Sequence, residues 1–546
     1  MTSHTGSCQS KSRTGLADGA AGVVPTVPVS WISVTLIGLI LCGIAMRCFR
    51  IDLPLFDGHG YRQHDTAAIA RNFAEESMNA FYPRVDWRGE SSGFAETEFQ
   101  IYTFTVAVLY KTFGVHEFLG RGLNVCLFVL SAGLLFLFIQ AVFDERAALI
   151  GVFFYCIAPL AVFYNRSFQP DTLLALASLF SIYAFWRWSQ RLRWPWLVLS
   201  GLGLTIAVLI KPPSLYLGLP LLYLAHLRFG RQWYRQHSLW LFAVLVLIPP
   251  FLWYWHAYQL WEIHGNTFGL LGRRSIAGVW PLNDRNWHLL GARLAHRLTH
   301  EIATPVGLLL LAAGLLTRQS RVGRLLLYWS LGFLVYIVLV PRGHSGHDYY
   351  QLPFVFVACA YIGFGATVLV DRGVLPKHAL LALLIFALPM SALELQGKLV
   401  VRDYDEIRIP FARQVFELTQ PDELVVFVVP VPKRADPGIY RHRTVEGEYL
   451  YCDPIDLYNS HRKGWSLDAD QATPARLEQL RQKGARCLAT VFPKVFNDNP
   501  LLGAHAKASF TPLDVNDVWH IYRIEAAEVT AGDPRETTLP GTDPGR

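Results

Sequence analysis

The segment FDGHGYRQHDTAAIARNF, Phe56 to Phe73, places two aspartates, two arginines and two histidines within eighteen residues, directly after a long apolar run. Carboxylates and imidazoles accept protons and guanidiniums hold anions, so the set suits proton transfer, phosphate capture, or both. Asp57 and Asp65 are the candidate bases, with Asp57 the first choice. Asp65 lies eight residues on. If TAAIARNFAEE is helical, Asp65 is also a candidate N-cap, with Thr66 as the alternative cap. Arg62 and Arg71 flank the acids, where a cation keeps a carboxylate ionised or pairs with it to hold the loop.

Four further groups carry chemistry. YPRVDWRGESSGFAETEFQIY contains Glu96 and Glu98, and Glu98 is the candidate for binding a sugar or a metal, against a solvated loop glutamate. YNRSFQPDTLLAL sets Arg166 and Asp171 five residues apart. Arg166 offers a fork matched to phosphate oxygens, while Asp171, following Pro170, equally fits a helix start beside the positive end of its dipole. Lys211 stands in an apolar stretch before Pro212 and Pro213. A cation there is costly in lipid unless it snorkels or faces a cavity, so it ends a helix at a membrane face and is a phosphate candidate. PRGHSGHDYYQLP adds Arg342, His344, His347 and Tyr350, and the two histidines with Glu98 are candidate ligands for a divalent metal in a setting unlike a helical zinc site.

These groups need a membrane scaffold to meet. The chain has 546 residues, is 52% hydrophobic and only 17% charged, with positive mean hydropathy, which excludes an ordinary soluble protein of this length. Its net charge of +7 is explained by basic residues flanking membrane helices and does not indicate a nucleic-acid partner. Apolar runs near 30–47, 122–142, 147–164, 171–187, 195–210, 213–227, 238–257, 303–317, 324–341, 351–370 and 378–394 predict about eleven membrane helices. The first run lacks a signal-peptidase-like site and reads as a span. Arg187, Arg191 and Arg193, then Arg228, Arg231 and Arg235, then Arg318, Arg321 and Arg324, then Arg372 and Lys377 fall in alternate short loops, which places those loops in the cytoplasm. The long loops 47–120 and 257–304, the short one at 164–170 and PRGHSGHDYYQ are then extracytoplasmic. In the second long loop, Arg273, Arg274, His288, Arg293, His296 and Arg297 read mostly as a solvated or headgroup-facing surface.

Residues 1–29 and 529–546 read as polar tails, 30–395 as the membrane domain, and 396–528 as a small extracytoplasmic α/β domain, since FARQVFELTQ, ELVVFVVP, ARLEQLRQKGA and WHIYRIE alternate helix and strand patterns. Within it, DPIDLYNSHRKGW reads as an acceptor-binding patch or a capping loop. Cys452 and Cys487 share that compartment and are a possible disulfide pair. The sequence contains no internal repeat, Walker loop, GxGxxG or HExxH, which argues against an ATP-driven pump and a membrane zinc protease.

The motifs FDGHGYRQHDTAAIARNF, YPRVDWRGESSGFAETEFQIY, YNRSFQPDTLLAL and HDYYQLP together resemble the GT-C membrane glycosyltransferases, the family 39-like branch similar to protein mannosyltransferases and the aminoarabinose transferase of lipid A. The FD…YR pattern also resembles oligosaccharyltransferase catalytic subunits. The resemblance implies a bacterial-type inner-membrane enzyme that moves a sugar from a polyprenyl-phosphate donor to an extracytoplasmic lipid, glycan or protein acceptor, with Asp57 at the position of the family's acid. It also implies that PRGHSGHDYYQLP lines the carrier site. The chain departs from the family in having Gly58 after Asp57 and Phe99 and Gln100 after Glu98. The rival reading is a lipid-linked-sugar transporter, a flippase or a non-catalytic scaffold, which would carry ionisable groups at mid-helix and often an internal repeat.

The alternation of basic loops predicts that fused reporters place Asp57, Glu98, His347 and the segment beyond Gln396 outside the cytoplasm, and Arg191, Arg231 and Arg321 inside. A cytoplasmic reporter at the C-terminus would put the acid-rich loops on the wrong side and refute the topology.

Overall fold

The computed structural model describes residues 30–270, 284–400, 403–430, 441–443, 449–451 and 453–525. The expected polar tails, Arg273, Arg274 and Cys452 lie outside these residues, while Cys487 is buried with a free thiol.

Every apolar run is helical. Among the described residues, five helices are long and apolar enough to cross a membrane: Trp31–Cys48, Glu117–Val142, His237–His264, the segment Asp348–Asp371 and Lys377–Lys398. The pair Asn286–Ile302 and Thr304–Leu316, bent by 102°, makes a sixth if it is one span. Other runs form shorter pieces, including Trp194–Ile210 and Arg324–Leu339. The run at 147–164 is split into Glu145–Ile157 and Pro159–Tyr164, because Pro159 lacks the N–H that would continue the helix.

The helix Leu352–Asp371 is the centre of the bundle, buried along most of its length between Glu145–Ile157 and Thr304–Leu316. Its glycines permit that. A Cβ on Gly363 would run into the Ala147 carbonyl, and one on Gly365 into the Leu310 carbonyl. In a bilayer, where lipid tails are as apolar as leucine, close backbone approach at small residues is a main source of helix association. Arg47, in the last turn of the first helix, is fully buried. It donates to the carbonyls of Gly43 and Cys156, both at 3.0 Å, and lies 3.5 Å over the Phe128 ring.

Two elements outside the apolar runs position the acid-rich loop. The helix Gly60–Glu75 is buried on nearly all sides. The C-terminal segment folds into a seven-stranded sheet in the spatial order Arg441–Arg443, Tyr449–Tyr451, Gly464–Asp468, Leu424–Val429, Ala485–Thr490, His520–Arg523, Thr511–Val515. The three central strands run parallel and the outer ones antiparallel. Period-two alternation splits the central strand: Val426 and Val428 pack with Leu477, Leu480 and Leu502 of the covering helices, whereas Val425 and Phe427 pack with Ala67, Phe73, Trp87 and Tyr102 of the first loop. The sheet therefore shares one hydrophobic core with that loop.

An ionic weld accompanies this core. Asp86 is fully buried. It accepts from Arg71 at 2.6 Å, from Asn72 at 2.9 Å and from Lys463 of the sheet segment. DPIDLYNSHRKGW, read from sequence as an acceptor patch or capping loop, faces the helix Gly60–Glu75. Asp453 takes the Tyr61 hydroxyl at 2.9 Å, Asn459 lies 3.0 Å from His64 Nε2, and Arg71 donates to the Tyr458 carbonyl at 2.9 Å.

Gly365→Val should lower thermal stability in detergent by about 1–3 kcal/mol or more, because overpacking a close helix contact forces backbone shifts. The control Gly218→Ala, where an added Cβ meets nothing within 4 Å, should change it little.

Candidate functional site

Asp57, the expected base, is closed. Its carboxylate accepts from Arg121 Nη2 at 2.7 Å, Arg166 Nη1 at 3.3 Å and Gln63 Nε2 at 3.0 Å, and the residue is 1% exposed. Arg121 also donates to the carbonyls of Ile51, Leu53 and Pro54, and Arg166 to that of Arg50. Arg166, expected to reach an aqueous cavity as a phosphate ligand, is instead turned inward and fully buried. Both residues hold the loop that leaves the first helix.

Asp65 is not a cap. The helix begins at Gly60 with His59 as N-cap, so Asp65 sits in its second turn and Thr66 bonds back to the Arg62 carbonyl at 2.7 Å. Asp65 accepts from Trp87 Nε1 at 2.9 Å. Burial, reinforced by the nearby charges of Asp453 and Asp86, pushes its carboxyl up to about 8 against the opposing pull of Trp87 and Arg62. A carboxyl so shifted is mostly protonated at neutral pH and is a poor proton acceptor there.

The sequence candidates that do converge form two ion pairs near helix ends. Arg62, one helical turn before Asp65, pairs with Glu98. Burial disfavours the Arg62 cation, but Glu98, Tyr349 and Asp171 more than offset this and hold its pKa above the ordinary value. Lys211, the C-cap of Trp194–Ile210, pairs with Asp171, the first residue of Asp171–Arg191. Its ammonium lies 4.0 Å from the Tyr350 ring centroid and 4.5 Å from that of Tyr349. The two pairs lie within electrostatic reach of one another.

The PRGHSGHDYYQLP stretch divides. His347 stacks on Tyr350 with centroids 5.5 Å apart, and burial pushes its imidazole down to about 3. His344 is buried, with Nδ1 2.7 Å from Gln351 Nε2. Arg342 is exposed on the short helix Pro341–Gly346. Arg293 and Arg297, expected on a solvated surface, anchor this stretch: Arg293 donates to the Ser345 carbonyl at 2.9 Å, and Arg297 to the His344 carbonyl. Glu96, the other acid of the Glu98 motif, is fully buried, bonded to Thr267 in a short parallel pairing of Ala95–Glu96 with Asn266–Thr267.

The proposed metal set fails. Glu98 is taken by Arg62, His344 by Gln351, and the two with His347 do not bring their ligand atoms together. Among the described residues the group that does is His296, Glu301 and Glu394, where the Lys398 ammonium already stands 3.0 Å from Glu301.

Residues not singled out from sequence complete the cluster. Asp348 accepts from His59 Nε2 at 3.0 Å, from Lys398 Nζ at 2.7 Å and from the Tyr164 hydroxyl. Arg121 and Lys398 carried the signal used for Lys211, a cation at the edge of an apolar run, and Asp348 was within the quoted HDYYQLP.

Comparison with known proteins places this geometry. The family described as dolichyl-phosphate-mannose-protein mannosyltransferase matches residues 101–255. No curated protein matches the chain. Among solved structures, ArnT from Cupriavidus metallidurans bound to undecaprenyl phosphate superposes with a TM-score of 0.61 at 13% identity, covering 91% of this chain and 98% of that one. The archaeal oligosaccharyltransferase AglB from Archaeoglobus fulgidus, in complex with an inhibitory peptide and a dolichol-phosphate, gives 0.52 at 11% identity over 88% of this chain and 72% of that one. The arabinofuranosyltransferase AftD from Mycobacteria gives 0.52 at 14% identity over 92% and 40%. The chain has the GT-C fold.

Asp57→Asn should cost about 3–5 kcal/mol of stability, since it leaves two buried guanidiniums short of a counter-charge. Asp65→Asn should act oppositely with pH. A carboxyl whose folded pKa is raised to about 8 withdraws stability as pH climbs from the ordinary aspartate range to 8, so this variant should resist heating better than the parent above pH 8 and match it near pH 4. Unfolding curves in detergent at several pH values check both.

Proposed function

We propose that this GT-C protein is a glycosyltransferase of the inner membrane, moving a sugar from a polyprenyl-phosphate donor to an acceptor outside the cytoplasm, with about eleven spans and an extracytoplasmic C-terminal domain over residues 396–528. The observation that carries the reading is the meeting of Arg62–Glu98 and Lys211–Asp171, two cations each held by one carboxylate, from four segments distant in sequence. A lipid-linked phosphate brings its own negative charge. It competes with the carboxylates for the cations, and its departure with both bonding electrons is favoured by them. Tyr349 and Tyr350 flank Lys211 and offer ring faces to a sugar. Asp65, protonated at neutral pH and on the Arg62 side of its helix, is suited to donate a hydrogen bond to the departing phosphate or the sugar. Asp57 and Arg166 serve as the anchor beneath.

Charge placement supports an enzyme over a transporter. Lys211 is a helix cap, Asp171 a first helical residue and Lys398 a last one. A permeation path would set such groups at mid-membrane.

Lys211→Ala and Arg62→Ala should each reduce donor use roughly ten- to a hundredfold, the worth of one charge-assisted hydrogen bond of about 1.5–3 kcal/mol. The exposed Arg342→Ala should change it less. The assay is sugar transfer from synthetic short-chain polyprenyl-phosphate sugars by purified, reconstituted protein. Unchanged donor kinetics in the first two variants at matched protein amount would dismiss the phosphate site.

A further inference from the structure

The outer end of the bundle holds one ionisable centre that the two ion pairs do not use. His59 caps the helix Gly60–Glu75 with its backbone, and its ring makes no capping bond. The ring is aimed instead at Asp348, with Nε2 3.0 Å from Oδ1. Asp348 is itself fixed from two other elements, by the Tyr164 hydroxyl and by Lys398 Nζ at 2.7 Å. An ionised carboxylate only accepts, so the proton of neutral His59 sits on Nε2 and Nδ1 keeps its lone pair. Among the described residues no protein group takes Nδ1. Around the ring stand His347 at 5.6 Å, Tyr349 at 5.2 Å and Tyr164 at 6.4 Å between centroids, and Lys398 beyond Asp348.

Exposure separates this imidazole from the acids. The His59 side chain is 32% exposed, against 1% for Asp57 and Asp171 and 10% for Glu98. Asp57 is enclosed by guanidiniums, and Glu98 and Asp171 are each neutralised by a cation. None of these is placed to approach a bulky acceptor.

We propose that His59, oriented by Asp348, is the base that takes the acceptor's proton, an inference that rests on the glycosyltransferase reading. The acceptor's O–H or N–H gives its proton to Nδ1 as its heteroatom bonds to the anomeric carbon. The bond from that carbon to the phosphate oxygen breaks, and its electron pair leaves on the polyprenyl phosphate. The imidazolium, with Asp348 beside Nε2–H, then returns the proton to water. Asp348 is a positioning residue: it sets tautomer and ring direction and does not touch the acceptor.

The test uses full-length reconstituted protein, synthetic short-chain polyprenyl-phosphate sugars as donors and an envelope extract from cells lacking this protein as acceptor. His59→Gln keeps an N–H for Asp348 but has no proton-accepting nitrogen, so turnover should fall about 10²–10⁴-fold with donor KM unchanged. His59→Ala should regain part of its turnover when imidazole is added, which a structural role would not permit. Turnover of His59→Gln within about threefold of the parent, or a loss confined to donor KM, would overturn the assignment. A second readout needs no substrate: nitrogen-15 imidazole spectra should show neutral His59 protonated on Nε2, and less so in Asp348→Asn. A proton on Nδ1 would overturn the dyad even with activity intact. Absence of transfer by the parent from any donor, with the Nε2 tautomer present, would instead count against the glycosyltransferase reading, and with it the catalytic role of the dyad.

Discussion

A carboxylate removed from water has to be met by cations where it stands, and Asp57 is met by two. Arg121 and Arg166 reach it from the start of Glu117–Val142 and the turn after Pro159–Tyr164, and their remaining donors take the backbone of residues 50–54. One buried charge thus fixes the path by which the chain leaves its first helix. That path decides where Gly60–Glu75 begins, and so which way His59, Arg62 and Asp65 project. The arrangement tolerates no partial version, because either arginine without Asp57 is an uncompensated buried charge.

The same helix is gripped from its other side. Asp86 joins Arg71 and Asn72 to Lys463, and Asp453 joins Tyr61 to Arg408. With the shared apolar layer of Val425, Phe427, Ala67 and Phe73, the C-terminal sheet becomes a wall against which the helix Gly60–Glu75 is pressed. A helix so held cannot drift, and hydrogen-bond chemistry at its open face needs placement to within a fraction of an ångström.

Four aspartates at this end illustrate how environment assigns roles. Asp57 lies between two guanidiniums and is an anchor. Asp171 faces one lysine and tempers it. Asp65 faces an indole wall with no cation bonded to it and keeps its proton at neutral pH. Asp348 receives a histidine, a tyrosine and a lysine, and directs an imidazole. The side chain is the same in each case; what differs is which donors the fold delivers to it.

The sequence by itself determined the membrane scaffold, since apolar runs of spanning length have no other stable home. Its periodicity marked the helices at FARQVFELTQ and ARLEQLRQKGA and the strands at ELVVFVVP and WHIYRIE, though not the strands Gly464–Asp468 and Thr511–Val515, and it carried the helix start and stop at Pro170–Asp171 and Lys211–Pro212 and the resemblance now matched by the GT-C fold. It marked Arg62, Glu98, Asp171 and Lys211 as candidates in separate stretches, beside Arg166, Arg342, His347 and Tyr350, because each is a polar or ionisable group in a motif next to apolar sequence. Pairing was beyond it. Arg62 meets Glu98, Lys211 meets Asp171, and Asp57 meets Arg121 and Arg166 across sequence separations that no local pattern encodes. His59 and Asp348 are 289 residues apart, and only packing brings them to 3.0 Å. Burial was equally hidden. Asp57 and Asp65 share a motif and a residue type, yet one is enclosed by two guanidiniums and the other meets an indole, and tertiary structure alone supplies those partners.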